Sequence, residues 1–478
     1  MKKIFIYAFT TALIWGAAGC KPSDFGTTNV DPSATTTPII SALLTNAEAG
    51  FGSTVSTGIE ALNGGQYAQY FAQTQYPDVS LYSLPQLSFT GEYSGTLYDL
   101  QNIINLNQSN NSTAAAMVLQ QYIFWTITDS WGDVPYSQAL KGIAVPTPVY
   151  DTQQDIYKGI LSKLTAAVAK FDASSSLAGD IIYSGDVASW KRAANSIRML
   201  VALQLSKKFP AAGAYAATEF SAALNDAAGS ITLNSQNMTI AYPGSTYKNP
   251  WFNAYDGRTD YAESKTMTDL LTNLGDTRST KFGGSFSDPK SVTGGTVSSN
   301  VGVPPGVDRN TAVNFTTANP NWAMVLRADL RTASSPLTII SAAEVYLARA
   351  EAAFYGWTTE VTATIYNTGI DRSFEQWGVT EPVGYNVQTG VIPTSLKNIA
   401  TQRYIASYPD GHMAWDIWRK TGFPVLTPAP NATSASKQIV QRFTYSTTEY
   451  NTNSANVKAA AALLPGGDTQ DSKVWWAQ

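Results

Sequence analysis

In segment after segment of this chain, apolar residues return every three or four positions. That period is best buried by packing helix against helix. From Asp155 to Phe171 the apolar positions are Ile156, Ile160, Leu161, Leu164, Val168 and Phe171, one continuous stripe. Asp186 predicts the N-cap of a long helix that carries Trp190, Ala194, Ile197, Val201 and Leu205 on one face. Ser341 and Glu344 form a Ser-x-x-Glu capping box ahead of VYLARAEAAFYG, and Gly356 supplies the stop. The same reading predicts helices over Tyr98 to Leu106 and Ala114 to Ile127, with more near 42–73, 359–377, 396–407 and 410–420. They come as consecutive amphipathic pairs with small residues where neighbours must approach. Helix–turn–helix repeats read this way, although no strict 34-residue period is present. The fold class expected is mainly α.

The middle of the chain breaks this pattern. From about Gly229 to Pro336 it is rich in Gly, Ser, Thr, Asn and Pro, as in KFGGSFSDPKSVTGGTVSSNVGVPPG. The expectation is a helical scaffold over 39–478, a single domain, that carries a loop-rich, minor-β insertion at about 229–336. Long irregular stretches in an ordered domain are commonly functional.

The first residues predict export. Lys2 and Lys3 precede the apolar run Ile4 to Trp15, which is short for a membrane span, and Ala17-Ala18-Gly19 leads directly to Cys20. Residues 1–19 read as a lipoprotein signal peptide and Cys20, the only cysteine, as the acylated residue that anchors the chain to a membrane. Residues 20–38 (CKPSDFGTTNVDPSATTTP) read as an extended tether. Removing Lys2 and Lys3 takes the formal charge from −4 to −6, a mild acidity that argues against a nucleic-acid partner.

Catalysis and metal chemistry find little support in the residue inventory. One histidine, His412, and no Gly-x-Ser-x-Gly elbow leave no serine triad. Metal sites built from several His or Cys are excluded by count, and there is no EF-hand or Walker pattern, so no cofactor or metal is expected. In GHMAWDIW, His412 and Asp416 stand one helical turn apart, which reads as a surface or helix-start histidine. A glycosidase needs only two carboxylates across a cleft, and a pair such as Asp256 and Glu263 stays open on spacing alone, although nothing marks it as catalytic.

Sugar binding is better supported. Pyranose rings pack flat C–H faces on aromatic planes and need amides, Arg or carboxylates at their hydroxyl edges. The chain is 12% aromatic, and TYKNPWFNAYDGRTDY (246–261) interleaves five rings with polar residues and shows no clean period of two or 3.6. The expected contacts are Trp251, Tyr255 and Trp322 as leading stackers, with Tyr247 from the same cluster and Tyr82 from QYPDVSLYSLPQLSFTGEY (75–93). Arg258 is expected to fork onto vicinal hydroxyls or to pair with Asp256 or Asp260. The WGDVPY motif at 131–136 reads as structural, as do Trp190, Trp415, Trp418, Trp475 and Trp476.

Several stretches, in order along the mature chain, resemble the SusD/RagB nutrient-binding outer-membrane lipoproteins of Bacteroidota. They are GGQYAQYFAQTQYP (64–77), DSWGDVPYSQAL (129–140), SGDVASWKRAANSIRMLVALQLSK (184–207), SAAEVYLARAEAAFYGW (341–357), IATQRYIASYPDGHMAWDIWRKTGFPVL (399–426) and GGDTQDSKVWW (466–476). Departures are Thr277 in LGDTRSTKF (274–282), where relatives read Asp-Pro-Arg, and the sparse acidity behind Cys20, where surface-exported relatives often carry an acidic cluster. The resemblance implies four tetratricopeptide-like helix pairs and a location at the outer membrane, facing the cell surface. It also implies an oligosaccharide ligand and a SusC-like TonB-dependent transporter as partner. A peptide ligand, or a lipid-anchored glycoside hydrolase, are the alternatives.

Overall fold

The computed structural model describes residues 38–478, so the expected signal peptide and the expected acylation site Cys20 lie outside the described residues. Several of the long helices start where the sequence supplies a side-chain cap. Helix α1 (Ile40–Thr57) and helix α2 (Ile59–Tyr67) are separated at Gly58, which is extended, and strand β1 (Phe71–Gln73) follows. The expected 42–73 helical region is therefore broken, and it ends in a strand. Helices α3 (Thr96–Leu106) and α4 (Asn110–Trp131) come next. The Ser109 side chain caps α4, and Gly132, at φ 90°, ends it. Helix α4 is buried on nearly every side, which explains its weak amphipathic signature. Strands β2 (Val134–Pro135) and β3 (Tyr150–Asp151) clip the loop that leads to α5 (Gln153–Lys170). Asp186 caps α6 (Val187–Gln204) as expected, with its side chain accepting from the Ala188 N–H, and α7 (Tyr215–Leu224) packs against it.

The insertion is more regular than its composition suggests. It holds β4 (Met238–Ile240), β5 (Tyr261–Glu263), helix α8 (Lys265–Leu274), β6 (Gly283–Ser285), helix α9 (Arg309–Ala318) and β7 (Ala323–Val325), with β8 (Leu337–Ile340) at its end. Ser264 and Asp308 cap the two helices, and Gly275 closes α8 in the left-handed region. Among the described residues the strands form antiparallel ribbons of two. One of these, β1–β5, stitches the insertion to the N-terminal helices with Phe71 opposite Glu263 and Gln73 opposite Tyr261.

The C-terminal half returns to helices: α10 (Ala342–Phe354), α11 (Thr362–Trp377), α12 (Leu396–Ala406), α13 (Gly411–Thr421) and α14 (Ser454–Ala462). Ser341 caps α10 through the Glu344 N–H, and Gly356 follows its end at φ 72°. Residues 40–478 form one compact unit around a main core that includes Trp125, Trp131, Trp190, Trp251, Trp415 and Trp476. A satellite core between α10, α11 and α12 contains Leu347, Tyr366, Ile370 and Phe374. Helix α13 lies directly on α2 because both sides of the contact are glycine. A Cβ on Gly411 would stand 2.1 Å from the Ala61 carbonyl oxygen and 2.5 Å from the Gly65 backbone. The GGQYAQY motif is thus a close-packing device.

Candidate functional site

Four of the expected sugar contacts lie in the interior, which corrects the sequence reading. Trp251 and Tyr255 are 0% and 1% exposed. Asn249 and Pro250 start a short helix over Pro250–Tyr255, so these two rings fall four residues apart on its inner face. Trp251 meets the edge of Phe71 at 5.3 Å. The Tyr255 hydroxyl donates to the Tyr261 carbonyl at 2.9 Å and accepts from the Val325 N–H at 2.8 Å, so it ties β5 to β7. Trp322 is covered by Phe286, stacked on it at 4.8 Å and 15°. Tyr82, at φ 61°, turns its ring inward against Tyr67, and its hydroxyl accepts from the Ala429 N–H. All four rings hold loops to the core, and Trp251 also borders a small cavity of about 210 Å³ beside Trp377 and Tyr408.

The remaining two expected contacts reach solvent in different places. Tyr247 is half-buried beside a cavity of about 360 Å³ that Asn46, Asp99 and Lys248 also line. Arg258 is exposed and pairs with Asp260, Nε to Oδ2 at 2.6 Å. Asp260 is fixed by the β1–β5 ribbon, because its carbonyl accepts from the Thr74 N–H at 2.9 Å and the next pair is Gln73 with Tyr261. This register places Arg258 and Asp260 at the end of the ribbon from which Gln75 and Tyr76 emerge.

Tyr76 is 55% exposed. The Arg309 guanidinium lies 6.0 Å from its ring centroid, and an Arg309 nitrogen donates to Gln75 Oε1 at 3.4 Å. The fixed start of α9 at its Asp308 cap places Arg309. Two exposed groupings thus stand near this end of the ribbon, Arg258 with Asp260 and Tyr76 with Gln75 and Arg309. Tyr76 lies in the 75–93 stretch from which only Tyr82 was expected to bind, and Arg309 was not among the expected contacts. The available signal was the Asp308 cap, which predicts a helix whose first residue is Arg309.

A second concave surface, of about 820 Å³, is lined by Tyr98, Gln101, Asn102, Asn105, Gln120, Tyr136 and Lys163. Its amides bond one another, Gln120 to Gln101 at 3.0 Å and Gln101 to Asn105 at 2.7 Å. Lys163 lies 4.5 Å over the Tyr136 ring, and burial lowers its pKa. Much of the hydrogen-bonding capacity here is already used.

The motifs read as structural are structural. Trp131 is fully buried and donates to the Leu87 carbonyl. In LGDTRSTKF, Asp276 and Arg278 form a buried pair in which the guanidinium also donates to Ser373 Oγ at 2.7 Å and to Gln402 Oε1 at 3.0 Å. Thr277 projects outward, and its hydroxyl bonds the Thr380 carbonyl at 2.6 Å. Glu263 is sealed in the core while Asp256 is exposed, so this carboxylate pair does not flank an open cleft. His412 begins α13 as expected but is only 2% exposed, which corrects the surface alternative.

Among the described residues, no helix is long and apolar enough to cross a membrane. Residues 31–446 match the SusD-like family model, described as starch-binding associating with outer membrane. Among solved structures, the chain is similar to a chitin-binding protein (25% identity, TM-score 0.74, covering 92% of this chain and 100% of that one). It is also similar to a chitin-binding SusD homologue from Flavobacterium johnsoniae (23%, TM-score 0.77, 91% and 98%). A third is a SusD homologue from Bacteroides uniformis (24%, TM-score 0.77, 92% and 100%). Among curated proteins none matches significantly.

Proposed function

The chain belongs to the SusD-like family, and from that premise we propose that it is a non-catalytic glycan-capture protein of the outer membrane. Tyr76 is the stacking plane, and Arg309, Arg258 and Gln75 are the hydroxyl-reading groups. The observation that carries this reading is the exposed Tyr76 ring with Arg309 beside it, held by the β1–β5 register and the start of α9. An open surface of this kind accepts a segment from anywhere along a polymer, whereas a closed pocket accepts only an end.

The family description and the names of the chitin-binding relatives support polysaccharide as the ligand class. Acylation at Cys20 tethers the protein, and a SusC-like TonB-dependent barrel receives the bound glycan. The test is affinity electrophoresis of the full chain through gels containing soluble starch, glycol chitin or other polysaccharides. Retardation in one gel, relieved by excess free oligosaccharide, is the expected result. Unretarded migration in every gel, together with retention on immobilised peptides, overturns the proposal in favour of a peptide carrier.

A further inference from the structure

The interior between α4 and α13 holds a second chemical constellation, away from the Tyr76 surface. Asp129 near the C-terminal end of α4, and His412 and Asp416 on α13, place one donor atom each within 4.8 Å of the others. All three side chains are at most 2% exposed. Asp129 Oδ2, Asp416 Oδ2 and His412 Nε2 have no hydrogen-bond partner, and His412 Nε2 stands 3.5 Å from an Asp416 oxygen.

The other oxygen of each carboxylate is held from behind. Asp129 Oδ1 accepts from the Tyr157 hydroxyl at 2.5 Å and the Trp476 indole at 2.8 Å. Asp416 Oδ1 accepts from Arg419, whose guanidinium also donates to the Asp129 and Gln441 carbonyls. With Nε2 unpartnered, a neutral His412 carries its proton on Nδ1. Nε2 then presents a lone pair to two carboxylate oxygens. Three unpartnered buried atoms thus lie within 4.8 Å of one another, and Asp416 is ion-paired with Arg419. Buried acceptors facing one another without a donor are costly.

We propose that Asp129, His412 and Asp416 bind a divalent transition-metal ion, Zn²⁺ or one of similar size, that pins α4 to α13. The donor set is the N/O type such ions accept, with each non-ligating carboxylate oxygen fixed by an outer hydrogen bond. Donor atoms around a tetrahedral ion with bonds of about 2.0–2.1 Å stand roughly 3.4 Å apart. The His412–Asp416 separation of 3.5 Å fits this spacing. The site is sealed, so the ion enters during folding and its role is structural.

The test expresses the full chain in Zn²⁺-supplemented, Co²⁺-supplemented and metal-depleted media. Metal is measured by plasma mass spectrometry, and visible spectra are recorded for the cobalt form. The proposal expects about one ion per chain, tetrahedral Co²⁺ bands, and a higher Tm for the metal-loaded protein. Asp129→Asn and His412→Gln are expected to lose the ion. Because these variants test folding as well, the wild type decides. Metal below about 0.1 per chain in every medium with an unchanged Tm overturns the proposal. So does a ¹⁵N spectrum showing His412 protonated on both nitrogens, because a proton then holds the cluster.

Discussion

Replacing Tyr76 with Ala tests the proposed surface most directly. An aromatic side chain offers roughly 150–250 Å² for burial. At 55% exposure Tyr76 keeps about half of that for a ligand. A sugar ring covers one face, so about 50–60 Å² leaves water; at about 25 cal/mol/Å² this is worth about 1.4 kcal/mol, near tenfold in Kd. Arg309 loses the ring that orients it, which adds to the loss. For a micromolar ligand, about −8 kcal/mol, the variant is expected to bind at about ten micromolar. Isothermal titration against the oligosaccharide identified by electrophoresis reads this shift. The ring is exposed and its loss opens no cavity, so the unfolding free energy is expected to change by no more than about 0.5 kcal/mol. A Kd within twofold of wild type refutes the Tyr76 assignment. A tenfold loss for Tyr98→Ala in the same titration moves the site to the amide-lined groove.

Three further outcomes follow from the packing. Gly411→Ala places a methyl 2.1 Å from the Ala61 carbonyl and is expected to cost about 1–3 kcal/mol by thermal melt. Gly91→Ala, where nothing lies within 4 Å of the added carbon, is expected to be neutral or stabilising by up to about 1 kcal/mol; equal Tm values for the two variants contradict the close-packing account. Arg278→Ala strands the buried Asp276 carboxylate and is expected to cost about 3–5 kcal/mol. Arg278→Lys does not restore it for want of the forked donor, and the soluble yield and Tm of both variants check this. Burial, and then the neighbouring Glu92, raise Glu60 from 4.5 to about 8, so the fold keeps a proton that the unfolded chain releases. That contribution is complete below pH 4.5 and is lost as pH rises through about 8, so Glu60→Gln is expected to raise the Tm at pH 9 and change it little at pH 4.

How far the sequence could be read depended on what each residue answers to. The Asp155–Phe171 stripe, the Asp186 cap and the Ser341 cap specified helices because their signals are local: a period and a neighbouring N–H decide them. The run of motifs from GGQYAQY to DSKVWW fixed the family for the same reason, being a chain of local packing and turn requirements. Aromatic rings answer to distant partners. Trp251 and Tyr255 stand on a short helix whose inner face meets β1 and β7, and Trp322 lies under Phe286, so composition that suggested a sugar platform produced core. Tyr76 and Arg309, 233 positions apart, meet only because β1 pairs with β5 and Asp308 sets the start of α9. Asp129 and His412 meet only because glycines let α13 settle on α2 beside α4. The chain by itself determined which stretches are helical and where their caps stand. Tertiary structure alone decided which rings stay wet and which polar atoms converge, because exposure and convergence depend on contacts between segments far apart in sequence.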